Sequence, residues 1–224
     1  HGPDPVLQQR DQAQPALRRV KTSRRPARKA AAPESAGSNR PERAANRQER
    51  FVGTVIHEYL EQVSQRPELP AHIQAEEVET LRLRLEELGL WGATLESATG
   101  SVAEAIERTL GDARLGRWIL SSAHAQAHSE LPMTVVCEGK VQDIVIDRTF
   151  LDTDTGLRWV VDYKSSAPAQ DVDLAAFFAE EAERYREQLR TYRDAVRTLG
   201  PEPVRCALYF TSLGALHPLP ELDT

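Results

Sequence analysis

Two apolar segments joined by a turn constrain the fold of this chain more than any other feature. The first, Ile144–Phe150, and the second, Trp159–Lys164, are rich in β-branched and aromatic residues. Between them, Asp152–Gly156 has the composition of a turn, with two aspartates and a glycine. The two segments therefore predict a β-hairpin, with its loop centred on Asp154 and Thr155.

The register of this hairpin predicts one charged and one apolar face. Side chains two apart on a strand share a face, so Asp162 and Lys164 project together while Tyr163 points away. Asp147 falls opposite Asp162, with the two Cβ atoms about 5 Å apart. Carboxylates this close repel each other unless a cation lies between them, and Mg²⁺ or Mn²⁺ is the natural candidate. The alternative is an ordinary polar sheet face with a cross-strand Asp–Lys pair. The apolar face is predicted to hold Ile144, Ile146, Phe150, Trp159, Val161 and Tyr163.

The rest of the sequence predicts helices and strands around this hairpin. Helices are expected at about residues 50–65, 73–88 and 98–110, with a short turn near 114–121. Asp171 or Asp173 caps a long helix that runs to Leu199, with a break near Ala179. Strands are expected at about 131–137, 142–151, 157–165, 203–211 and 215–219. This order predicts a mixed sheet with helices on its faces.

His57 lies on the first predicted helix, about 150° from the centre of its apolar stripe. The side chain is therefore either exposed to solvent or aimed at a neighbouring site. Gly53, one turn earlier, leaves room beside His57 for a metal ion or for backbone. The stripe itself consists of Phe51, Val52, Val55, Ile56, Tyr59, Leu60 and Val63.

Five short motifs occur in an order that one known family shares. They are Gly53–Glu61, a helix with a glycine and a histidine; Glu130–Pro132; Ile146–Arg148; Asp162–Lys164; and Gln188–Tyr192. Over about residues 50–219 the sequence resembles the RecB-like nuclease domains of the PD-(D/E)XK superfamily, found at the C-terminal end of UvrD/RecB/AddA-type helicase-nucleases. Many relatives have a glycine three residues before the first aspartate, where this chain has Ile144.

The resemblance implies an α/β fold, with a mixed central sheet flanked by helices and an N-terminal helical part. It also implies hydrolysis of DNA phosphodiester bonds, as an exonuclease that uses Mg²⁺ or Mn²⁺. The implied catalytic residues are Asp147, Asp162 and Lys164. The implied metal ligands are His57, Asp147, Asp162, the backbone carbonyl of Tyr163 and, as the weakest candidate, Glu130. The implied DNA contacts are Gln188, Tyr192 and Arg148.

Two alternatives accompany this interpretation. Tyr185, Leu189 and Tyr192 are also placed to pack against the sheet, so Gln188 and Tyr192 need not touch DNA. An inactive nuclease-like module that binds DNA or a partner subunit is the competing function. The retained Asp147, Asp162 and Lys164 argue against it.

The resemblance also implies partners. They are DNA, upstream UvrD-like helicase domains in the same polypeptide, and a second helicase-nuclease subunit. A role in DNA repair and recombination follows from those partners. Because the sequence opens with His1 and its sole methionine is Met133, we expect it to be a fragment or a processed product.

Charge divides the sequence into two parts. Residues 1–50 hold 12 Lys and Arg against 5 Asp and Glu, and the remainder holds 16 against 29. Residues 1–49 are therefore expected to be a basic, flexible linker, and residues 50–224 the nuclease domain. The linker is either a solvated tether or a segment that binds DNA phosphates without sequence preference.

The two cysteines, Cys137 and Cys206, lie in separate apolar strand segments. We expect both to be buried, reduced thiols of a cytoplasmic protein. Some relatives hold an iron–sulfur cluster through four cysteines, and two cysteines exclude that cluster on count. No apolar run in the sequence is long enough to span a membrane.

Overall fold

The computed structural model describes residues 40–137 and 139–223, which form a five-stranded mixed sheet with helices on both faces. The helices are α1 (Arg40–Ser64), α2 (Ala75–Glu87), α3 (Gly92–Gly111), α4 (Gly116–Leu120) and α5 (Leu174–Val196). The strands are β1 (Ala125–Cys137), β2 (Lys140–Asp152), β3 (Leu157–Lys164), β4 (Val204–Phe210) and β5 (Ala215–Pro218), and a 3₁₀ turn follows at Pro220–Leu222. This is the α/β architecture that the sequence predicts.

The strands lie side by side in chain order, and one neighbouring pair is parallel. β1, β2 and β3 form an antiparallel meander, β3 and β4 are parallel, and β4 and β5 are antiparallel. The parallel pair needs a long crossover, which α5 supplies. α5 therefore packs beside the strand that carries Asp162 and Lys164.

Two hydrophobic clusters separate the helices into two layers. The first cluster joins α1, α2, α3 and α4 to the face of the sheet that carries Trp159, Val161 and Tyr163. The second joins α5 to the opposite face, which carries Val160. Alternation along β3 therefore sends its odd-numbered side chains toward α1 and its even-numbered side chains toward α5.

The predicted hairpin is confirmed in both its turn and its register. Partners run from Arg148–Val161 to Asp152–Leu157, which is the register expected from a loop centred on Asp154 and Thr155. The Asp152 carboxylate accepts hydrogen bonds from the Asp154 backbone N–H (3.2 Å) and the Thr155 hydroxyl (2.7 Å). The paired residues end at Arg148 and Val161, one position short of the two aspartates.

One part of the hairpin prediction is wrong. Ile144 and Ile146 were expected on the same face as Phe150, but they belong to the cluster around α5, whereas Phe150 belongs to the cluster around α1. The alternation of β2 therefore changes between Ile146 and Arg148. The reason is that β2 leaves β3 at this point and pairs onward with β1 alone.

Several element ends differ from the predicted ones. α1 begins at Arg40, so residues 40–49 of the predicted linker are helical, which fits the helix formers in that stretch. Residues 1–39 of the predicted linker lie outside the described residues. β1 begins at Ala125, earlier than predicted, and is irregular, with φ of 48° at Gln126 and 49° at Glu130. α5 begins after Asp173, whose carboxylate accepts the Ala176 N–H, and it runs without a break at Ala179.

Neither cysteine lies in a disulfide, but their burial differs. Cys206 is fully buried in β4, whereas Cys137 at the end of β1 is only half-buried. The prediction that both are buried is therefore wrong for Cys137, because it lies at the exposed tip of the β1–β2 hairpin. In the part of the chain that the structure describes, no helix combines the length and the apolar character needed to cross a membrane.

Candidate active site

Asp162 and Lys164 project together from the end of β3, as the alternation of the strand predicts. The Lys164 Nζ lies 2.5 Å from Asp162 Oδ2, and the Gln188 side-chain amide donates a hydrogen bond of 2.7 Å to Asp162 Oδ1. The same ammonium lies 3.4 Å from the centroid of the Tyr185 ring. α5 therefore provides two contacts, from Tyr185 and Gln188, that fix the acid and the lysine of β3.

Burial and charge both act on this pair. Burial raises the pKa of the Asp162 carboxyl, Lys164 opposes that rise, and Asp147 adds to it. Burial alone acts to lower the pKa of Lys164, but Asp162, Tyr185 and Asp147 together outweigh burial and raise it above the ordinary value. Lys164 therefore carries a positive charge at neutral pH, at a position where its side chain is 14% exposed.

A second group of side chains converges near this pair, close enough for Asp147 to act on the pKa of Asp162. His57 from α1, Glu130 from β1 and Asp147 from β2 each offer one ligand atom, and these atoms all lie within 4.8 Å of one another. His57 Nδ1 is 3.4 Å from Asp147 Oδ2 and 3.9 Å from Glu130 Oε1. His57 is thus aimed at a neighbouring site, which is one of the two alternatives that its helix position allows.

Hydrogen bonds to the backbone of Tyr163 orient this group. The Tyr163 N–H donates to Asp147 Oδ2 at 2.8 Å, and the Tyr163 carbonyl lies 3.1 Å from His57 Nε2. A carbonyl can only accept, so Nε2 carries the proton of that hydrogen bond. Nδ1 of a neutral imidazole then presents its lone pair toward the two carboxylates.

This donor set fits a divalent cation. An imidazole lone pair and two carboxylates are all electron donors, and a cation among them would offset their mutual repulsion. His57 and Asp147 are 6% and 3% exposed, so water offsets little of the repulsion. Imidazole and carboxylate together are ligands of Mn²⁺ and related divalent ions.

A comparison with known protein families bears on this arrangement. A model of the PD-(D/E)XK nuclease superfamily matches residues 17–219. The chain belongs to this superfamily. PD-(D/E)XK nucleases use divalent metal ions, and the group of His57, Glu130 and Asp147 could bind one.

The chain is also similar to a solved structure. A crystal structure of a "putative exonuclease" from Eubacterium rectale matches with a TM-score of 0.48 and 16% identity, over 77% of this chain and 59% of that chain. The chain therefore spans about three fifths of the length of that protein. No curated protein sequence matches.

The glycine of the first motif has a structural purpose in this member of the PD-(D/E)XK superfamily. A Cβ added at Gly53 would lie 3.0 Å from the Ser165 Oγ. The sequence leaves open whether Gly53 makes room for a metal ion or for backbone, and in the structure the atom nearest to an added Cβ belongs to the Ser165 side chain, just after Lys164. Gly53 therefore lets α1 approach the end of β3, which brings His57 to Tyr163.

Two of the residues predicted to contact DNA have other contacts here. The Gln188 side-chain amide donates a hydrogen bond to Asp162. Arg148 is 2% exposed, and its guanidinium donates to the carbonyls of Ile119 (2.8 Å) and Ser121 (2.6 Å). A side chain enclosed in this way does not reach a surface, so its position does not support DNA contact. Tyr192 is partly buried against the cluster around α5.

Tyr185 is the site residue that the sequence motifs do not single out. It lies one turn before Gln188 on α5, and its ring lies under the Lys164 ammonium. The spacing of Tyr185, Gln188 and Tyr192 places them on one helix face, which indicates that Tyr185 could belong to the site. The same spacing equally predicts packing against the sheet, so the sequence alone does not decide between the two.

Proposed function

We propose that this chain is a DNA nuclease that hydrolyses phosphodiester bonds with Mg²⁺ or Mn²⁺. The observation that carries the proposal is the convergence of His57, Glu130 and Asp147 beside the Asp162–Lys164 pair. Membership of the PD-(D/E)XK nuclease superfamily supports the reaction class.

His57, Glu130 and Asp147 would hold the metal ion, with the Tyr163 carbonyl close to His57. When bound, the metal lowers the pKa of a water molecule and offsets negative charge on the phosphate. Backbone groups of Tyr163 orient two of these ligands: the N–H fixes the Asp147 carboxylate, and the carbonyl fixes the imidazole of His57.

Lys164 would stabilise the negative charge that develops on the phosphate oxygens. Its ammonium is held by Asp162 on one side and by the Tyr185 ring on the other, so it needs little reorganisation when the substrate binds. Asp162 thereby orients the lysine. A direct role of Asp162 as a metal ligand stays a prediction.

The biological setting that we propose is the C-terminal nuclease domain of a UvrD/RecB-like helicase-nuclease that acts in DNA repair and recombination, as an exonuclease. The order of the five motifs supports it. The test is the longer gene product, which should contain a Walker A loop and hydrolyse ATP in the presence of DNA. A gene product without that loop would exclude a helicase in the same polypeptide.

The test of the nuclease itself is degradation of end-labelled single- and double-stranded DNA with Mg²⁺, Mn²⁺ or EDTA. Asp147→Asn and Lys164→Met should each lower the rate by about 100-fold or more, and EDTA should abolish it. Asp143→Asn and Lys140→Met are matched controls, because both residues lie exposed on β2 and both should cleave like the wild type. Closed circular DNA separates the two modes of cleavage, because an exonuclease needs a free end and an endonuclease does not.

Calorimetric titration with Mn²⁺ completes the test. Binding that Asp147→Asn abolishes and Asp143→Asn preserves would support the metal site. DNA binding that is indifferent to metal, without cleavage by any variant, would overturn the nuclease proposal in favour of an inactive DNA-binding module.

A further inference from the structure

The three segments that carry His57, Glu130 and Asp147 are joined by a second set of polar contacts. Arg148 directly follows Asp147 on β2, and Ser129 directly precedes Glu130 on β1. Ser64 lies seven residues, or two turns, after His57 on α1, which places it about 20° from His57 around the helix axis. Each member of the group therefore has a polar neighbour on its own element.

These neighbours form one continuous chain of hydrogen bonds. Arg148 Nη1 lies 3.1 Å from Ser129 Oγ, and Ser129 Oγ lies 2.7 Å from Ser64 Oγ. Ser64 Oγ donates to the Glu61 carbonyl at 2.8 Å. A hydroxyl has one proton, and Ser64 uses its proton on Glu61, so Ser129 must donate to Ser64. The direction of the chain is thereby fixed, from Arg148 through Ser129 to Ser64.

Both ends of this chain are anchored in the core. Arg148 is 2% exposed and is held by two carbonyls next to and in α4, and Ser64 is 4% exposed. Solvent therefore competes little at the two ends, whereas Ser129 between them is half-buried. The contacts run from β2 through β1 to α1, which are the three elements that carry the candidate ligands.

The backbone beside Ser129 needs such support. Glu130 has φ of 49°, in the left-handed region that residues with a Cβ seldom adopt. The residues paired across β1 and β2 include Ser129–Arg148 and Leu131–Ile146, on either side of this position. A residue in a sparsely populated conformation persists where its surroundings hold it, and the adjacent residue, Ser129, is held by its hydroxyl to Arg148 and Ser64.

We propose that Ser129, with Arg148 and Ser64, is a positioning residue that sets the relative placement of Glu130, Asp147 and His57 for metal binding. This inference rests on the proposed function, because it concerns the same metal site. It assigns no contact with the metal or the substrate to these three residues. It differs from a purely structural role, which would alter the stability of the fold and leave the metal affinity unchanged.

The test is the affinity for Mn²⁺, measured by calorimetry on the folded protein, alongside thermal unfolding without metal. Ser129→Ala should weaken Mn²⁺ binding by about 10-fold, the lower end of the effect seen when groups that orient metal ligands are removed. Ser129→Thr keeps the hydroxyl and should restore most of the affinity. Thr134→Ala is the matched control, because it removes another hydroxyl contact between β1 and β2, the 2.8 Å bond to Asp143, at the exposed end of the hairpin.

A double variant tests whether the contacts act as one chain. Ser64→Ala breaks the same chain from the α1 side, so Ser64→Ala with Ser129→Ala should weaken binding no more than the stronger single variant does. Ser129→Ala with Thr134→Ala should match Ser129→Ala alone. Cleavage by Ser129→Ala should also return toward the wild-type rate as Mn²⁺ is raised to saturation, since the catalytic groups remain.

Different outcomes would overturn the positioning role of Ser129 and the proposed metal site. If the wild type binds Mn²⁺ through Asp147 but Ser129→Ala binds within twofold of it, the positioning role is overturned and the nuclease proposal stands. If the wild type shows no Asp147-dependent binding, the metal site is wrong and the positioning role falls with it.

Discussion

Replacing Arg148 by methionine separates a structural role of this residue from the DNA contact that its motif implies. Arg148→Met removes the guanidinium and keeps an unbranched side chain in the same space. The α4 helix has only five residues, so its last carbonyls lack partners within the helix. Arg148 donates to the carbonyls of Ile119 and Ser121, and the substitution leaves both without that donor.

The expected loss of stability follows from these contacts. A buried acceptor left without its partner costs about 1–3 kcal/mol, which gives roughly 2–6 kcal/mol for two carbonyls. Part of this is offset, because burial of the guanidinium is itself unfavourable and lowers the pKa of Arg148. We therefore expect a loss of about 3 kcal/mol in the free energy of unfolding. For a domain of this size, that lowers Tm by about 6–12 °C.

The assay is thermal and urea unfolding followed by circular dichroism, with DNA binding measured by fluorescence anisotropy below the transition. Arg197→Met is the control, because Arg197 is exposed at the end of α5 and its loss should change stability by less than about 0.5 kcal/mol. If Arg148→Met unfolds like the wild type and binds DNA more weakly, the structural argument is refuted, and Arg148 contacts DNA as its motif implies.

Two further predictions concern packing and thiol chemistry. Gly116→Ala should destabilise the protein by several kcal/mol, since the added Cβ would lie 2.0 Å from the Thr109 carbonyl oxygen. Gly100→Ala should instead stabilise α3 by about 0.5–1 kcal/mol, because an added Cβ there has nothing within 4 Å. Urea unfolding of both variants checks that the two effects have opposite signs. Burial raises the pKa of Cys206 to about 12. At pH 8 its thiolate fraction should be near 10⁻⁴, about 1000-fold below that of an ordinary thiol. A thiol reagent should therefore modify Cys137 at once and Cys206 only after unfolding. Equal rates of modification in the native protein would contradict this.

The sequence predicts the hairpin well because its information is local. Alternation along Trp159–Lys164 places Asp162 and Lys164 on one face, and the turn residues set the register that the structure has from Arg148 to Asp152. The stripe on α1 likewise excludes His57 from the apolar core of its own helix. Each of these predictions depends on residues within a few positions of one another.

The remainder depends on contacts between distant parts of the chain. The hydrophobic periodicity of the sequence does not predict that β2 stops pairing with β3 at Asp147, or that Glu130 adopts a positive φ. The bond from Gln188 to Asp162 links residues 26 positions apart, and that from Arg148 to Ile119 links residues 29 apart. A sequence motif identifies residues such as Gln188 and Arg148, but it does not show whether they contact groups of the protein or DNA.

The separation of β2 from β3 explains how one short hairpin serves both halves of the candidate site. With regular pairing through Asp147 and Asp162, both carboxylates would share the face toward α5, where Lys164 and Gln188 lie. Because pairing stops at Arg148 and Val161, Asp147 instead accepts the Tyr163 N–H and meets His57 from α1. Asp162 therefore contacts the lysine while Asp147 contacts the histidine, and the two carboxylates still act on each other, because Asp147 adds to the raised pKa of Asp162.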